Sequence, residues 1–85
     1  MVWVTNAKYV EGFKVDVTFS SGESFTIDLK DELTGEIFEP LKERQFFAAL
    51  KFDPELDTIV WGNGADFAPE FLYELGKQQM GGRSA

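Results

Sequence analysis

Phe13-Lys14-Val15-Asp16-Val17-Thr18-Phe19-Ser20-Ser21-Gly22-Glu23-Ser24-Phe25-Thr26-Ile27-Asp28-Leu29-Lys30 is the stretch that decides the fold. Phe13, Val15, Val17 and Phe19 alternate with Lys14, Asp16, Thr18 and Ser20. Phe25, Ile27 and Leu29 alternate with Thr26, Asp28 and Lys30. A period of two marks strands with one dry face and one wet face. Between them, Ser20-Ser21-Gly22 reads as a three-residue hairpin loop ending in a left-handed residue, a conformation glycine adopts without steric cost. Closing the loop there pairs Phe19 with Glu23, Val17 with Phe25 and Val15 with Ile27, so the apolar side chains share one face. Lys14 falls opposite Asp28 on the other face, a favourable cross-strand pair. A two-residue loop at Ser21-Gly22 sets Phe25 opposite Thr18 and mixes the faces.

Toward the N-terminus, Val10-Glu11-Gly12 closes in the same way and pairs Ala7 with Val15, Thr5 with Val17 and Trp3 with Phe19. Trp3, Thr5, Ala7 and Tyr9 are then expected to point inward, with Val2 and Val4 on the outer face. Toward the C-terminus, Asp31 to Pro40 reads as a loop with Ile37 and Phe38 as anchors. Glu43 to Leu50 reads as a short helix carrying Phe46, Phe47 and Leu50 inward. Strands through Lys51-Phe52 and Thr58 to Trp61 flank the turn-rich Asp53-Pro54-Glu55-Leu56-Asp57, and Gly62-Asn63-Gly64 is a tight turn. A second helix is expected from Pro69 to Gln79, with proline tolerated in the first turn and Phe71, Leu72 and Leu75 as its apolar stripe. The fold class is α+β: an N-terminal three-stranded antiparallel meander, a short helix, two further short strands and a C-terminal helix. Residues 1–80 are expected to form one domain and 81–85 a flexible tail.

The 85 residues include fifteen acidic and eight basic side chains, for a formal net charge of -7, and neither cysteine nor histidine. Disulfides, thiolate nucleophiles and zinc-thiolate sites are therefore excluded, as are the commonest general base and the commonest transition-metal ligand. Between Asp53 and Leu75 lie six carboxylates and no basic residue. Nucleic-acid affinity rests on Lys and Arg displacing counterions, so direct nucleic-acid binding is not expected. No apolar run reaches the roughly 18 residues of a membrane span, and no secretory leader is read. The cytoplasm is the expected compartment.

Trp61-Gly62-Asn63-Gly64-Ala65-Asp66-Phe67-Ala68-Pro69-Glu70-Phe71-Leu72-Tyr73 is the most distinctive motif. Physically it is a strand end, a turn and a helix start, with Asp66 suited to accept hydrogen bonds from the first turn of the helix. Trp61, Asn63, Gly64, Asp66, Pro69, Glu70 and Tyr73 are the candidate functional residues, although turn and cap chemistry accounts for each residue type. Asp28, Asp31, Glu32, Glu36 and Glu39 do not follow the spacing of a calcium loop. Neither catalytic residues, nor a cofactor, nor a metal are expected. The aromatic strand face reads as core rather than as a base-stacking platform, because it is the only dry face available.

The same motif resembles the signature of the bacterial domain-of-unknown-function family 2442: a tryptophan, then Asn-Gly-Ala-Asp, Pro-Glu and Leu-Tyr. Asn63, Gly64, Ala65, Asp66, Pro69, Glu70, Leu72 and Tyr73 match it, while Gly62 stands where proline is usual. Phe19, Gly22, Asp28 and Phe38-Glu39-Pro40-Leu41 resemble its upstream motifs, and the likeness runs from about Val4 to Leu75. The resemblance implies a small antiparallel sheet with two helices. It also implies an arrangement similar to toxin–antitoxin pairs for some relatives, and a helix-turn-helix-like domain after the module in some longer ones. The expected function is a protein-interaction or regulatory, antitoxin-like module whose partner is a small protein encoded by an adjacent gene. Its contact surface is expected at the acidic stretch Asp53–Asp57 with the motif helix, or at an exposed sheet edge. The alternative is a small-ligand binder or enzyme using Asp66, Glu70 and Tyr73 near Trp61.

Overall fold

The computed structural model describes residues 1–81. Its centre is the hairpin of β2 (Lys14–Phe19) and β3 (Ser24–Asp28), paired antiparallel in the expected register: Val15 with Ile27, Val17 with Phe25, Lys14 with Asp28. The Phe19 N–H donates to the Glu23 carbonyl at 2.9 Å, and Gly22 takes a φ of +92°. Val15, Val17, Phe19 and Ile27 are buried, as a single inward face requires.

The first strand, β1 (Val4–Glu11), completes the meander but not in the expected register. The turn into β2 is Gly12-Phe13, with Glu11 opposite Lys14; Val10 bulges, and Tyr9 rather than Ala7 lies opposite Val15. A slip of two residues conserves the faces, so Ala7 and Tyr9 still point inward. Phe13 leaves the strand for the turn and packs edge-on against Phe47, with centroids 5.2 Å apart. A second irregularity at Thr5 reverses the phase, because Val4 lies opposite Phe19 while Asn6 lies opposite Thr18. Val4 is fully buried, Val2 packs against the core, Thr5 is exposed and Trp3 is 45% exposed. The expected orientation of Trp3, Thr5, Val2 and Val4 is thus corrected, since alternation holds a single phase only until a bulge resets it.

Between Asp28 and the next strand the chain forms two 3-10 segments, Lys30–Glu32 and Glu36–Lys42, where a loop was expected. Leu33 and Leu41 are the buried anchors, Phe38 is half-buried and Ile37 is exposed. With three residues per turn, Phe38 and Leu41 share a side and Ile37 is carried off it. The helix α1 (Arg44–Ala48) follows, its first turn capped by Glu43, whose carboxylate accepts from the Gln45 N–H at 3.0 Å.

β4 (Lys51–Asp53) and β5 (Thr58–Val60) make a two-stranded sheet. In their connecting turn the Asp53 carboxylate accepts from the N–H groups of Glu55 (2.8 Å) and Leu56 (3.3 Å). Asp57 adopts a φ of +59°, which a short polar side chain tolerates. Its carbonyl accepts from the Val4 N–H at 2.9 Å, tying this turn to the start of β1.

The last helix, α2 (Pro69–Gly81), extends two residues past the expected end and lies along β3. Its inward residues are Leu72, Tyr73, Leu75 and Gly76, whereas Phe71, expected in the apolar stripe, is exposed. Gln79 closes the edge of β3 like a short strand: its amide donates to the Asp28 carbonyl and accepts from the Asp28 N–H, both at 2.9 Å. Of the expected tail at 81–85, Gly81 ends α2 and the rest lies outside the described residues. Among the described residues no helix is long and apolar enough to cross a membrane.

Candidate functional site

Beyond β5 the backbone of the motif folds back on itself. The Trp61 N–H donates to the Ala65 carbonyl at 2.9 Å, the Gly64 N–H donates to the Trp61 carbonyl at 3.0 Å, and Gly64 takes a φ of +92°. Asn63 holds this turn from both ends of its amide, accepting from the Ala65 N–H at 3.1 Å and donating to the Ile37 carbonyl at 2.9 Å. The Trp61 ring is buried, with Nε1–H donating to the Phe47 carbonyl at 2.9 Å and ring centroids 5.5 Å from Phe47 and 5.8 Å from Phe67. The buried Thr58 hydroxyl donates to the Phe67 carbonyl at 2.5 Å.

Asp66 departs from its expected cap role. It bridges Val60 through the backbone while its carboxylate is exposed and makes no hydrogen bond among the described residues. The helix starts three residues later, at Pro69, so the cap position falls to Ala68 and the first-turn amides lie beyond Asp66. Glu70 is exposed in that first turn. Tyr73 points to the β2–β3 loop, where its hydroxyl donates to Glu23 Oε1 at 2.5 Å and its ring meets Phe19 edge-on at 5.2 Å. Lys77 Nζ lies 5.1 Å from the centre of the Tyr73 ring.

Tyr73 and Glu23 are fifty positions apart and no spacing rule links them. Hydrogen bonds from Tyr73 and then from Ser21 hold the Glu23 carboxyl below its ordinary value. The same bond to Glu23, with desolvation behind it, holds the Tyr73 phenol above its own. Each shift favours the pairing of an ionised carboxylate with a neutral phenol.

The seven candidate residues therefore fall in two places. Trp61, Asn63, Gly64 and Asp66 belong to the turn, with Pro69 and Glu70 at the helix start, while Tyr73 belongs to the hairpin end. Beside Trp61 runs a groove of about 320 Å³ lined by Phe46, Ala49, Lys51, Val60, Trp61 and Gly62; Asp66, Glu70 and Tyr73 do not line it. Among the described residues no group of three or more carboxylates is placed to hold a metal ion.

A second surface, which the alternation pattern hid, lies where β1 meets the β4–β5 turn. Trp3 is fixed there by two bonds to Ser20: its N–H donates to the Ser20 hydroxyl at 3.1 Å, and its carbonyl accepts from the Ser20 N–H at 2.8 Å. Leu56, 54% exposed, stands in the turn whose Asp57 carbonyl holds the Val4 N–H. Glu55 and Asp57 flank it, and among the described residues their carboxylates have neither a hydrogen bond nor an ion pair. The bulge at Thr5 was the missing signal, and a bulge leaves little trace in residue type.

Among solved structures, the fold is similar to that of a Nitrosomonas europaea protein that bears the name "Putative DNA Binding Protein". The TM-score is 0.83 at 21% identity, over 95% of this chain and 52% of that one, so the chain spans about half the length of this neighbour. At that identity the likeness is one of fold. No curated protein matches the sequence. A family model, described as Protein of unknown function (DUF2442), matches residues 4–78 with the turn motif inside the match, and the chain belongs to that family.

Proposed function

We propose that the chain is a cytoplasmic protein-interaction module, formed by residues 1–80 as one domain, whose contact face is built on Trp3 and Leu56. The observation that carries this reading is the bulge at Thr5, which sends the larger Trp3 to solvent and the smaller Val4 into the core. Burying tryptophan removes far more apolar surface from water than burying valine, so self-stability alone favours the opposite choice. Tryptophan is also the residue most enriched among side chains that dominate binding energy. The finer role is antitoxin-like regulation of a small protein encoded by an adjacent gene.

Co-expression with that neighbour's product, followed by size-exclusion chromatography at low salt, is the test. The wild-type chain is expected to co-elute with the neighbour, and the doubly substituted Trp3→Ser, Leu56→Ser chain to elute alone. A wild-type monomer that carries no partner from its native cells overturns the proposal.

The DNA binding in the name of the Nitrosomonas europaea protein is not proposed for this module. Phosphate contacts need basic charge, and this chain carries -7. A ligand-binding role is favoured only by the groove beside Trp61, and that reading rests on Lys51 and the apolar walls rather than on Asp66, Glu70 and Tyr73.

A further inference from the structure

An interaction module displays the chemistry of its partner on its contact face. Resting on that interaction reading, we infer that the Trp3–Leu56 face receives an arginine-bearing segment of a protein partner, with a guanidinium stacked on the Trp3 indole and paired with the carboxylates of Glu55 and Asp57.

Rigidity comes first. Trp3 is tied to Ser20 through both its N–H and its carbonyl, and the β4–β5 turn is tied to β1 through Asp57 and Val4. The backbone that carries the indole and the backbone of the acidic turn are therefore fixed relative to one another before any partner arrives, which lowers the ordering cost of binding. Within the turn the carboxylates divide by task. Asp53 is occupied by the amides of Glu55 and Leu56, whereas Glu55 and Asp57 have no partner among the described residues. No basic residue occurs from Asp53 through Glu74 to neutralise them.

The occupant is set by complementarity. An exposed indole is the best aromatic platform for a cation. A guanidinium adds what an ammonium lacks, a flat face to stack and a fork of donors to meet a carboxylate. Leu56 supplies an apolar contact for the stem of the arginine or for its neighbour. A phosphate-bearing surface or a second copy of this chain is repelled by the same charge.

The experiment is a ¹H–¹⁵N NMR titration of the full chain with a short blocked peptide containing two arginines and a leucine, against the same peptide with lysine for arginine. The Trp3 indole N–H and the amides of Leu56 and Asp57 are expected to shift and saturate, while the Trp61 indole stays in place. The lysine peptide is expected to bind about three- to fivefold more weakly. Trp3→Ala is expected to abolish saturation with the spectrum still dispersed. Asp57→Asn, which keeps a residue tolerant of the left-handed conformation, is expected to weaken binding without Trp3 being touched. Equal binding of both peptides, undiminished by Trp3→Ala and spread over Glu70 and Glu74, means diffuse attraction of polycations and overturns the inference. So does the absence of any saturable shift. If the peptide fails while Trp3→Ser, Leu56→Ser still releases the neighbouring gene's product, the arginine chemistry is wrong and the interaction reading stands; if both fail, both fall.

Discussion

At Trp61 a buried indole donates to the Phe47 carbonyl, joining the end of β5 to α1. Trp61→Phe removes that bond and leaves space beside Phe47 and Phe67, so it is expected to cost about 1–3 kcal/mol by urea unfolding. Trp3→Ser is expected to cost about 1–2 kcal/mol and leave the fold intact, because only the half of the ring that is out of water contributes. The Tyr73–Glu23 bond gives stability a pH signature. Glu23 is lowered from 4.5, so its contribution is present above that value and lost as pH falls through the lowered one. Tyr73 is raised from 10.0, so its contribution is present below that value and lost as pH rises through the raised one. The difference in urea midpoint between wild type and Tyr73→Phe is therefore expected to be flat between about pH 5 and pH 9 and to close on either side. A difference that grows on acidification contradicts this assignment.

Between elements, α2 approaches β3 closely along its length. A methyl group at Gly76 would lie 2.6 Å from Phe25 Cδ2, 2.9 Å from Cγ and 3.0 Å from Cβ. The obstacle runs from the ring down to Cβ, the root of the aromatic side chain, which cannot swing aside as a flexible tip would. In an open helix Gly→Ala gains about 1 kcal/mol; here Gly76→Ala is expected to destabilise by about 1–3 kcal/mol. Thermal unfolding checks the sign, and the double variant Gly76→Ala, Phe25→Ala is expected to cost less than the sum of the two single changes. This close approach had no sequence signal, since a glycine within a helix reads only as a weak position. The β2–β3 hairpin was legible to the residue because one face had to be wholly apolar and Gly22 set the loop. The same reasoning slipped at β1, where the bulge at Val10 moved the register by two residues and the bulge at Thr5 reversed the faces.

Over the whole molecule, fifteen acidic side chains face eight basic ones, and the ion pair among the described residues, Lys42–Glu39, is exposed and weak. Self-repulsion therefore outweighs what pairing salt can break. Raising sodium chloride from about 0.02 M to about 0.5 M shortens the screening length from roughly 20 Å to roughly 4 Å and is expected to raise Tm at neutral pH. Calorimetry at matched buffer composition checks this, and a fall in Tm would show that attractive pairs dominate. A protein only 21% identical shares this fold.

Fold class, the order of elements, the central hairpin register and the family itself were determined by the sequence, because a two-residue period, turn glycines and a dense local motif are local facts. The seven motif positions were legible as a group for the same reason. Where they go was decided only in three dimensions: Tyr73 to Glu23, Asp66 away from the helix start, Trp61 into the core. The exposure of Trp3 belongs to the tertiary level too. It depends on which of two adjacent residues enters the core after a bulge, and that choice is made by the packing of Val4 against Phe19 and by its hydrogen bond to Asp57, contacts between distant parts of the chain that no local period encodes.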